Sequence, residues 1–245
     1  MMENPFSLVG KTILVTGASS GIGKGIAIAS ANMGAKVFIT ARREDKLKDV
    51  VNEMVGDNDY YVADLTVSND IDKLVDFLPE LDGVVHCAGI GSRVLCKNIT
   101  EESIDQLMHV NFYAPVLLQA ALLSKKRIKK NASIVFVASM STDSPSMGNA
   151  IYSASKGAIL SYSRCLSIEL APRKIRVNCI SPAMVWTDLI IKDGLDEMML
   201  KENEIKYPLG RFGKPEDIAG LVVYLLSNVS EWMTGSNISI TGGAR

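Results

Sequence analysis

Tyr152 and Lys156 stand four residues apart in Tyr152-Ser153-Ala154-Ser155-Lys156, so a helix beginning near Ala150 would carry both side chains on one face. A phenol titrates near ~10, too high for acid/base work at neutral pH. An ammonium at ~4 Å in an effective dielectric of ~20 contributes about 4 kcal/mol, roughly three pK units, and would bring the phenol close to ~7. There it serves as donor or acceptor of a proton. Ser139 lies thirteen residues before the tyrosine, just past the apolar run SIVFVA, and would deliver a hydroxyl to the same region. Tyr-x-x-x-Lys also occurs on helices where the tyrosine packs in a core and the lysine snorkels. The pair gains meaning from its surroundings.

A glycine loop supplies the first of these. The run Thr12–Thr16 leads directly into Gly17-Ala18-Ser19-Ser20-Gly21-Ile22-Gly23, and a helical pattern follows. Glycines there permit a tight turn and close approach of a phosphate to backbone N–H groups, while a helix N-terminus adds partial positive charge. The predicted ligand is a pyrophosphate. The spacing G-x-x-x-G-x-G differs from the common G-x-G-x-x-G, and a Walker loop is excluded because no Lys-Ser/Thr pair follows the last glycine.

About twenty residues on, where NAD enzymes place a carboxylate for the ribose 2′-hydroxyl, the chain reads Thr40-Ala41-Arg42-Arg43. A guanidinium fork suits a 2′-phosphate, so NADP(H) is preferred over NAD(H), the alternative being two solvated arginines at a helix start. Asp64, followed by Leu65, would accept from an adenine amino group or form a turn with Thr66. Ala88 and Gly89 offer bare backbone to a ribose, whereas His86 reads as a packed, hydrogen-bonded side chain.

Positioning such groups takes a sheet. Apolar runs of strand length recur as TILVT from Thr12, KVFIT from Lys36, GVVHC from Gly83, SIVFVA from Ser133, IRVNCI from Ile175 and NISI from Asn237. Helical segments begin between them near Gly21, Glu44, Ser68, Thr100, Ala150 and Pro215. The alternation predicts an α/β fold, a single-domain Rossmann-type doubly wound parallel sheet over residues 1–245 with helices on both faces. Ligands of such sheets bind at the carboxyl ends of the strands, where all the residues above fall.

Composition narrows the function classes. Twenty-six basic and twenty-seven acidic side chains leave a formal charge of -1, so nothing draws the chain to nucleic acid or anionic lipid. Two histidines and four scattered cysteines, Cys87, Cys96, Cys165 and Cys179, give no metal site and are expected to be buried reduced thiols. With no leader pattern and no uninterrupted apolar span, a soluble cytoplasmic protein is expected.

Taken together, Thr16 to Gly23, the Ser139, Tyr152, Lys156 set and the closing Pro208-Leu209-Gly210-Arg211-Phe212-Gly213-Lys214-Pro215-Glu216-Asp217 resemble the short-chain dehydrogenase/reductase family over essentially the whole length. The resemblance implies hydride transfer between a nicotinamide and a carbonyl. Tyr152 would be the proton donor, Ser139 would polarise the oxygen, and Lys156 would lower the Tyr pKa and hold the ribose. Asn111 would position a water in the proton relay. The implied cofactor set is Gly17, Ser19, Ser20, Gly21, Ile22, Gly23, Arg42, Asp64, Leu65, Ala88, Gly89, Tyr152, Lys156, Val185 and Thr187. His86-Cys87 replaces the family's Asn-Asn, Ala183 stands where glycine is usual, and Thr241 replaces aspartate in the closing Asp-Gly-Gly.

The family also places a substrate lid at 183–207, here rich in Met184, Trp186, Leu189, Ile190, Leu195, Met198 and Met199, which suggests either an apolar substrate or packing. In a basic run ending at Lys130, Lys125 and its neighbours suit a helix C-terminus on a wet surface. Lys130 and Arg173 match basic positions of relatives whose acyl substrate rides on acyl carrier protein. The implied activity is ketone/secondary-alcohol interconversion on a small molecule, with 3-oxoacyl thioester reduction as the specific form and a homotetramer as the assembly. The alternatives are an NAD-dependent sugar, polyol or steroid alcohol dehydrogenase, or a non-catalytic dinucleotide sensor.

Overall fold

The computed structural model describes residues 4–188, 190 and 197–244. Its strands are β1 (Thr12–Thr16), β2 (Lys36–Ala41), β3 (Asp59–Val62), β4 (Leu81–His86), β5 (Ile128–Val137), β6 (Arg176–Pro182) and β7 (Asn237–Ile240). They form one sheet in the order β3-β2-β1-β4-β5-β6-β7. Every neighbouring pair is parallel. Parallel neighbours require crossovers, supplied by α1 (Gly21–Asn32), α2 (Glu44–Glu53), α3 (Ser68–Phe77), α4 (Glu101–Met108) with α5 (Ala114–Ser124), α6 (Ala150–Leu170), and α7 (Glu197–Glu204) with α8 (Pro215–Leu226). A π turn at His109–Tyr113 joins α4 to α5 in one apolar helix, whose Leu107, Ala114, Leu118 and Leu122 are buried.

Alternation along each strand builds the two layers. Leu14, Val84, Ile134, Phe136 and Val177 face the cluster that includes Leu74, Leu118, Ile159 and Leu166. Their neighbours Ile13, Val15, Val85, Val135 and Ile180 face the other, with Ile26, Leu47, Ile218 and Val222. Strands buried on both sides read as continuous apolar runs, which is why the runs were visible in the sequence.

Local signals set the helix starts. At α4 the Thr100 hydroxyl accepts from Ser103 N at 3.2 Å and Ser103 Oγ accepts from Thr100 N at 3.0 Å, a reciprocal cap. At α8, Pro215 opens the helix and Asp217 accepts from Lys214 N at 2.7 Å.

Three expectations are corrected. The strand order includes β3, an edge strand absent from the six apolar runs because its Asp-Tyr-Tyr-Val is only half-buried. β5 begins at Ile128 rather than Ser133: two residue steps of β4 face five of β5, a bulge at which Asn131 takes φ 65° and polar side chains hide the strand. Of the four thiols, Cys96 and Cys165 are exposed and Cys87 is half-buried, leaving only Cys179 buried.

The basic run serves a neighbouring helix as well as its own. Lys125 ends α5, pairs with Asp76 at 2.7 Å, and Arg127 donates to Val75 O and Asp76 O near the end of α3. These cations meet the carbonyl end of α3, where positive charge is favourable.

Candidate active site

Strand order reverses between β1 and β4, so the connections leaving them diverge and open a crevice at their carboxyl ends. Thr16 ties the two ends together. Its Oγ1 accepts from Cys87 N and Ala88 N, both at 3.1 Å, beneath the crevice. Gly17 follows with φ 68°, and a Cβ there would lie 2.6 Å from Ala88 Cα. Only glycine lets the two backbones pass at that distance. Thr16 escaped the sequence reading as a site residue because its role depends on β4 lying beside β1.

Gly21 starts α1 at φ 56° and would bring a Cβ to 3.0 Å from Thr187 Cγ2, so the loop and the exit of β6 meet. Ser20 precedes α1 in an extended conformation with no side-chain cap bond, and Ile22 packs half-buried in the first turn. The Ser19 and Ser20 hydroxyls both accept from Arg43 Nη2 at 3.1 Å. Arg42 lies 69% exposed with Nη1 3.9 Å from Asp64 Oδ2. The structure therefore brings two guanidinium groups to this corner, and Arg43, left out of the candidate set, is the one on the loop. Asp64 Oδ1 accepts from Thr66 N at 3.0 Å and Thr66 Oγ1 at 2.7 Å, so the turn role is filled while Oδ2 meets Arg42. The Leu65 side chain is buried in the core and presents only backbone to the edge.

Lys156 is buried, and Nζ donates to Val137 O at 2.9 Å, the last residue of β5. Burial lowers its pKa, opposed by the nearby Cys87 and Cys179. Nζ lies 5.9 Å from the centroid of the Tyr152 ring. Ser139, buried two residues past β5, accepts at Oγ from Ser141 N at 3.1 Å, which orients a hydroxyl that retains its own proton to donate. β5 and α6 thus deliver hydroxyl, phenol and ammonium to one end of the sheet.

Asn111 sits in the π turn, buried. Its Oδ1 accepts from Ile90 N at 2.9 Å, and Nδ2 donates to Ile90 O at 3.0 Å and Ser155 Oγ at 3.1 Å. Both amide protons are engaged, so the side chain clamps the segment after β4 to α6 and reaches a relay only through what it positions. Gly89 lies under this clamp: a Cβ there would be 3.2 Å from Asn111 Oδ1 and 3.3 Å from Lys156 Nζ. The missing side chain at Gly89 is what lets Asn111 and Lys156 come this close to its backbone.

His86 is buried and stacked on Phe136 at 4.6 Å, with Nε2 3.0 Å from Gln119 Oε1. Burial pushes its pKa down to about 4, opposed by the hydrogen bond to Gln119. Burial likewise pushes the Cys87 thiol up to about 12. Neither group is an acid/base at neutral pH.

Val185 is buried and bridges to Gly213, and Thr187 Oγ1 donates to Val185 O at 3.3 Å. Met184 and Trp186 pack with Ile190, Leu200, Tyr207 and Phe212. Met198 is exposed, while Leu189, Leu195 and the Met199 side chain lie outside the described residues. Among the described residues no cluster of His, Cys, Asp and Glu fits a metal.

The family model described as enoyl-(acyl carrier protein) reductase matches residues 17–245. A 3-oxoacyl-[acyl-carrier-protein] reductase of Rickettsia felis is 33% identical over 236 residues, covering 96% of this chain and 97% of that protein. The L-xylulose reductase of Caenorhabditis elegans is 33% identical over 249 residues, covering 99% and 98%. A crystal structure from Beutenbergia cavernae, provisionally named an NAD(P)-dependent gluconate 5-dehydrogenase and holding NADP at low occupancy, superposes with a TM-score of 0.89 at 32% identity, covering 98% of each chain.

Proposed function

The chain belongs to the short-chain dehydrogenase/reductase family and is an oxidoreductase of alcohols and ketones with NAD(P), and from that premise we propose that it uses NADP(H) to reduce a 3-oxoacyl thioester. One observation carries the reading: Ser139, Tyr152 and Lys156 converge at the sheet edge that also holds the glycine loop. The cradle suits a dinucleotide: Gly17 at φ 68° and Gly21 at φ 56° turn the chain tightly from β1 into α1, and the missing side chain at Gly89 lets Asn111 and Lys156 close on its backbone.

Gly17 to Gly23 would hold the pyrophosphate, Ala88, Gly89, Tyr152 and Lys156 the nicotinamide ribose, and Val185 and Thr187 the carboxamide and phosphate. Arg42 and Arg43, with Ser19 and Ser20, form a basic corner suited to a 2′-phosphate, and the residue directly after β2 is Arg42 rather than a carboxylate. When bound, the reduced coenzyme supplies a hydride. Tyr152 hands its phenolic proton to the carbonyl oxygen, Ser139 donates a hydrogen bond to the same oxygen, and Lys156 favours the phenolate left behind.

The 3-oxoacyl choice rests on the acyl-carrier-protein-linked relatives and on two exposed basic residues that an acidic carrier could meet, Lys130 and Arg173, the latter donating to Ile128 O from one guanidinium nitrogen. Equal identity to an L-xylulose reductase supports a keto sugar as second reading. The apolar face with Ile104, Tyr113 and Leu117 on the α4–α5 helix and Ile168 on α6 supports a homotetramer, to be read by light scattering.

NADPH and NADH oxidation over 3-oxoacyl thioesters and keto sugars tests the proposal. Turnover with NADPH and an acyl thioester, abolished in Tyr152→Phe, is expected. Preference for a keto sugar shifts the substrate to the second reading, and undiminished turnover in Tyr152→Phe overturns the mechanism.

A further inference from the structure

Trp186 stands between Val185 and Thr187, the two residues of the β6 exit assigned to the coenzyme. Its backbone N–H donates to Gly213 O at 2.9 Å, and Gly213 N donates to Met184 O at 2.9 Å, so Val185 is held in a short parallel bridge. Its indole Nε1 donates to Glu204 Oε1 at 2.6 Å. The same oxygen accepts from Phe212 N at 3.0 Å. One carboxylate at the end of α7 thereby joins the residue before Gly213 to the residue after Val185, pinning both sides of the bridge.

The linkage continues toward the glycine loop. Arg211 donates to Phe212 O at 2.9 Å and grips Asp217 at 2.6 and 2.9 Å. Asp217 caps α8, and Pro215 lies so close to Gly25 of α1 that a Cβ there would stand 2.8 Å away. Around the carboxylate the rings of Trp186 and Phe212 are 5.4 Å apart and those of Phe212 and Tyr207 5.0 Å, an apolar shell in which two N–H groups depend on one charged acceptor.

We propose that Glu204 is a positioning residue for the coenzyme: with Trp186 it holds segment 184–187 in the binding-competent arrangement, so that Val185 and Thr187 meet the nicotinamide half without rearrangement. The inference rests on the dinucleotide reading above. Without the carboxylate the competent arrangement becomes a fraction of the ensemble, and apparent affinity falls by that fraction. The loss of charge-assisted bonds sets the scale at about tenfold.

The chain has two tryptophans, and the other, Trp232, is 99% exposed and remote from the described site. A Trp232→Phe background therefore leaves Trp186 as sole reporter, and NADPH titration reads both Kd and quenching of its emission. Adding Glu204→Ala should raise the NADPH Kd about tenfold and weaken the quench at saturation, while Glu204→Gln, which keeps an acceptor oxygen, should return Kd to within about threefold. Trp186→Phe, followed by calorimetry, keeps an aromatic ring in the shell while removing the indole donor and one of its two fused rings; it should weaken NADPH binding several-fold even if Glu204→Ala fails to fold. Unchanged Kd in folded Glu204→Ala or in Trp186→Phe overturns the positioning role and leaves the function standing. No NADPH binding by the parent protein overturns both.

Discussion

Arg176 and Lys156 are buried cations at opposite margins of the same sheet, one on the first residue of β6 and one against the last residue of β5. Burial lowers the pKa of both. Their partners differ. Arg176 donates to Ser230 Oγ at 2.8 Å, Leu225 O at 2.8 Å and Ser227 O at 3.2 Å, closing the carbonyl end of α8. Lys156 donates to Val137 O, and among the described residues no carboxylate pairs with it. A cation whose donors are consumed by the fold is a fastener. One with donors unspent beside Gly89, where a side chain is missing, is a binding group.

The sharpest way to break that contrast is Lys156→Met. Turnover should fall about a thousandfold, within the range for lost acid/base assistance. The thermal midpoint should hold or rise, because an ammonium with incomplete solvation leaves the interior. Its pKa is below 10.5 in the fold, so the unfolded chain binds more protons between the lowered value and 10.5, and the wild type should gain stability as pH rises through that window. The variant should lack this gain. A midpoint falling by many degrees would put Lys156 in the same class as Arg176.

Arg176→Leu should do the converse. Three charge-assisted hydrogen bonds are lost, while Leu225 O keeps Ser133 Oγ and Ser230 Oγ as donors, for about 3 kcal/mol of stability and roughly 6–12 °C in Tm. Below the transition, kcat/KM per folded molecule should match wild type. A selective loss of turnover would show that the amino margin is coupled to the chemistry.

His86 tests the carboxyl margin by pH alone. Its folded pKa near 4 lies below the ordinary 6.5, so the unfolded chain takes up a proton first as pH falls. Stability is unaffected above 6.5, declines between 6.5 and about 4, and levels off below. By pH 5 the loss should be about 2 kcal/mol. Chemical denaturation of wild type against His86→Asn across that window measures it, and parallel curves would refute the assignment of His86 as a buried neutral ring.

The same contrast explains what could be read in the sequence. The strands were legible because both faces are buried, and Tyr152 and Lys156 because a helix turns four-residue spacing into adjacency. Contacts between distant segments were not. Thr16 acts on Cys87 and Ala88, 71 and 72 residues away, and Glu204 meets Trp186 across 18 residues. Arg43 and Arg42 are neighbours of one type, and only the path of β2 past the loop decides which reaches Ser19 and Ser20. β3 and the start of β5 were hidden by polar residues that an edge and a bulge tolerate.

The smallest effect falls on Asp217, in the first turn of α8. It is bidentate with Arg211 and accepts from Lys214 N, and these bonds hold its carboxyl at about 2, below the ordinary 3.8. A lowered acid pKa gives stability that is complete above 3.8 and lost as pH falls toward 2. The side chain is 37% exposed, so solvent screens the pair and Asp217→Asn should cost only roughly 1–3 °C at pH 7. That deficit should shrink as pH falls through about 2, where the wild-type carboxyl takes up its proton and comes to match the neutral variant. If the carboxylate also steadies the linkage through Phe212 to Glu204, Asp217→Asn should raise the NADPH Kd by about twofold at pH 7, less than Glu204→Ala does. An effect equal to that of Glu204→Ala would move the positioning role from Glu204 to the α8 cap, and with it the boundary between fastener and binding group.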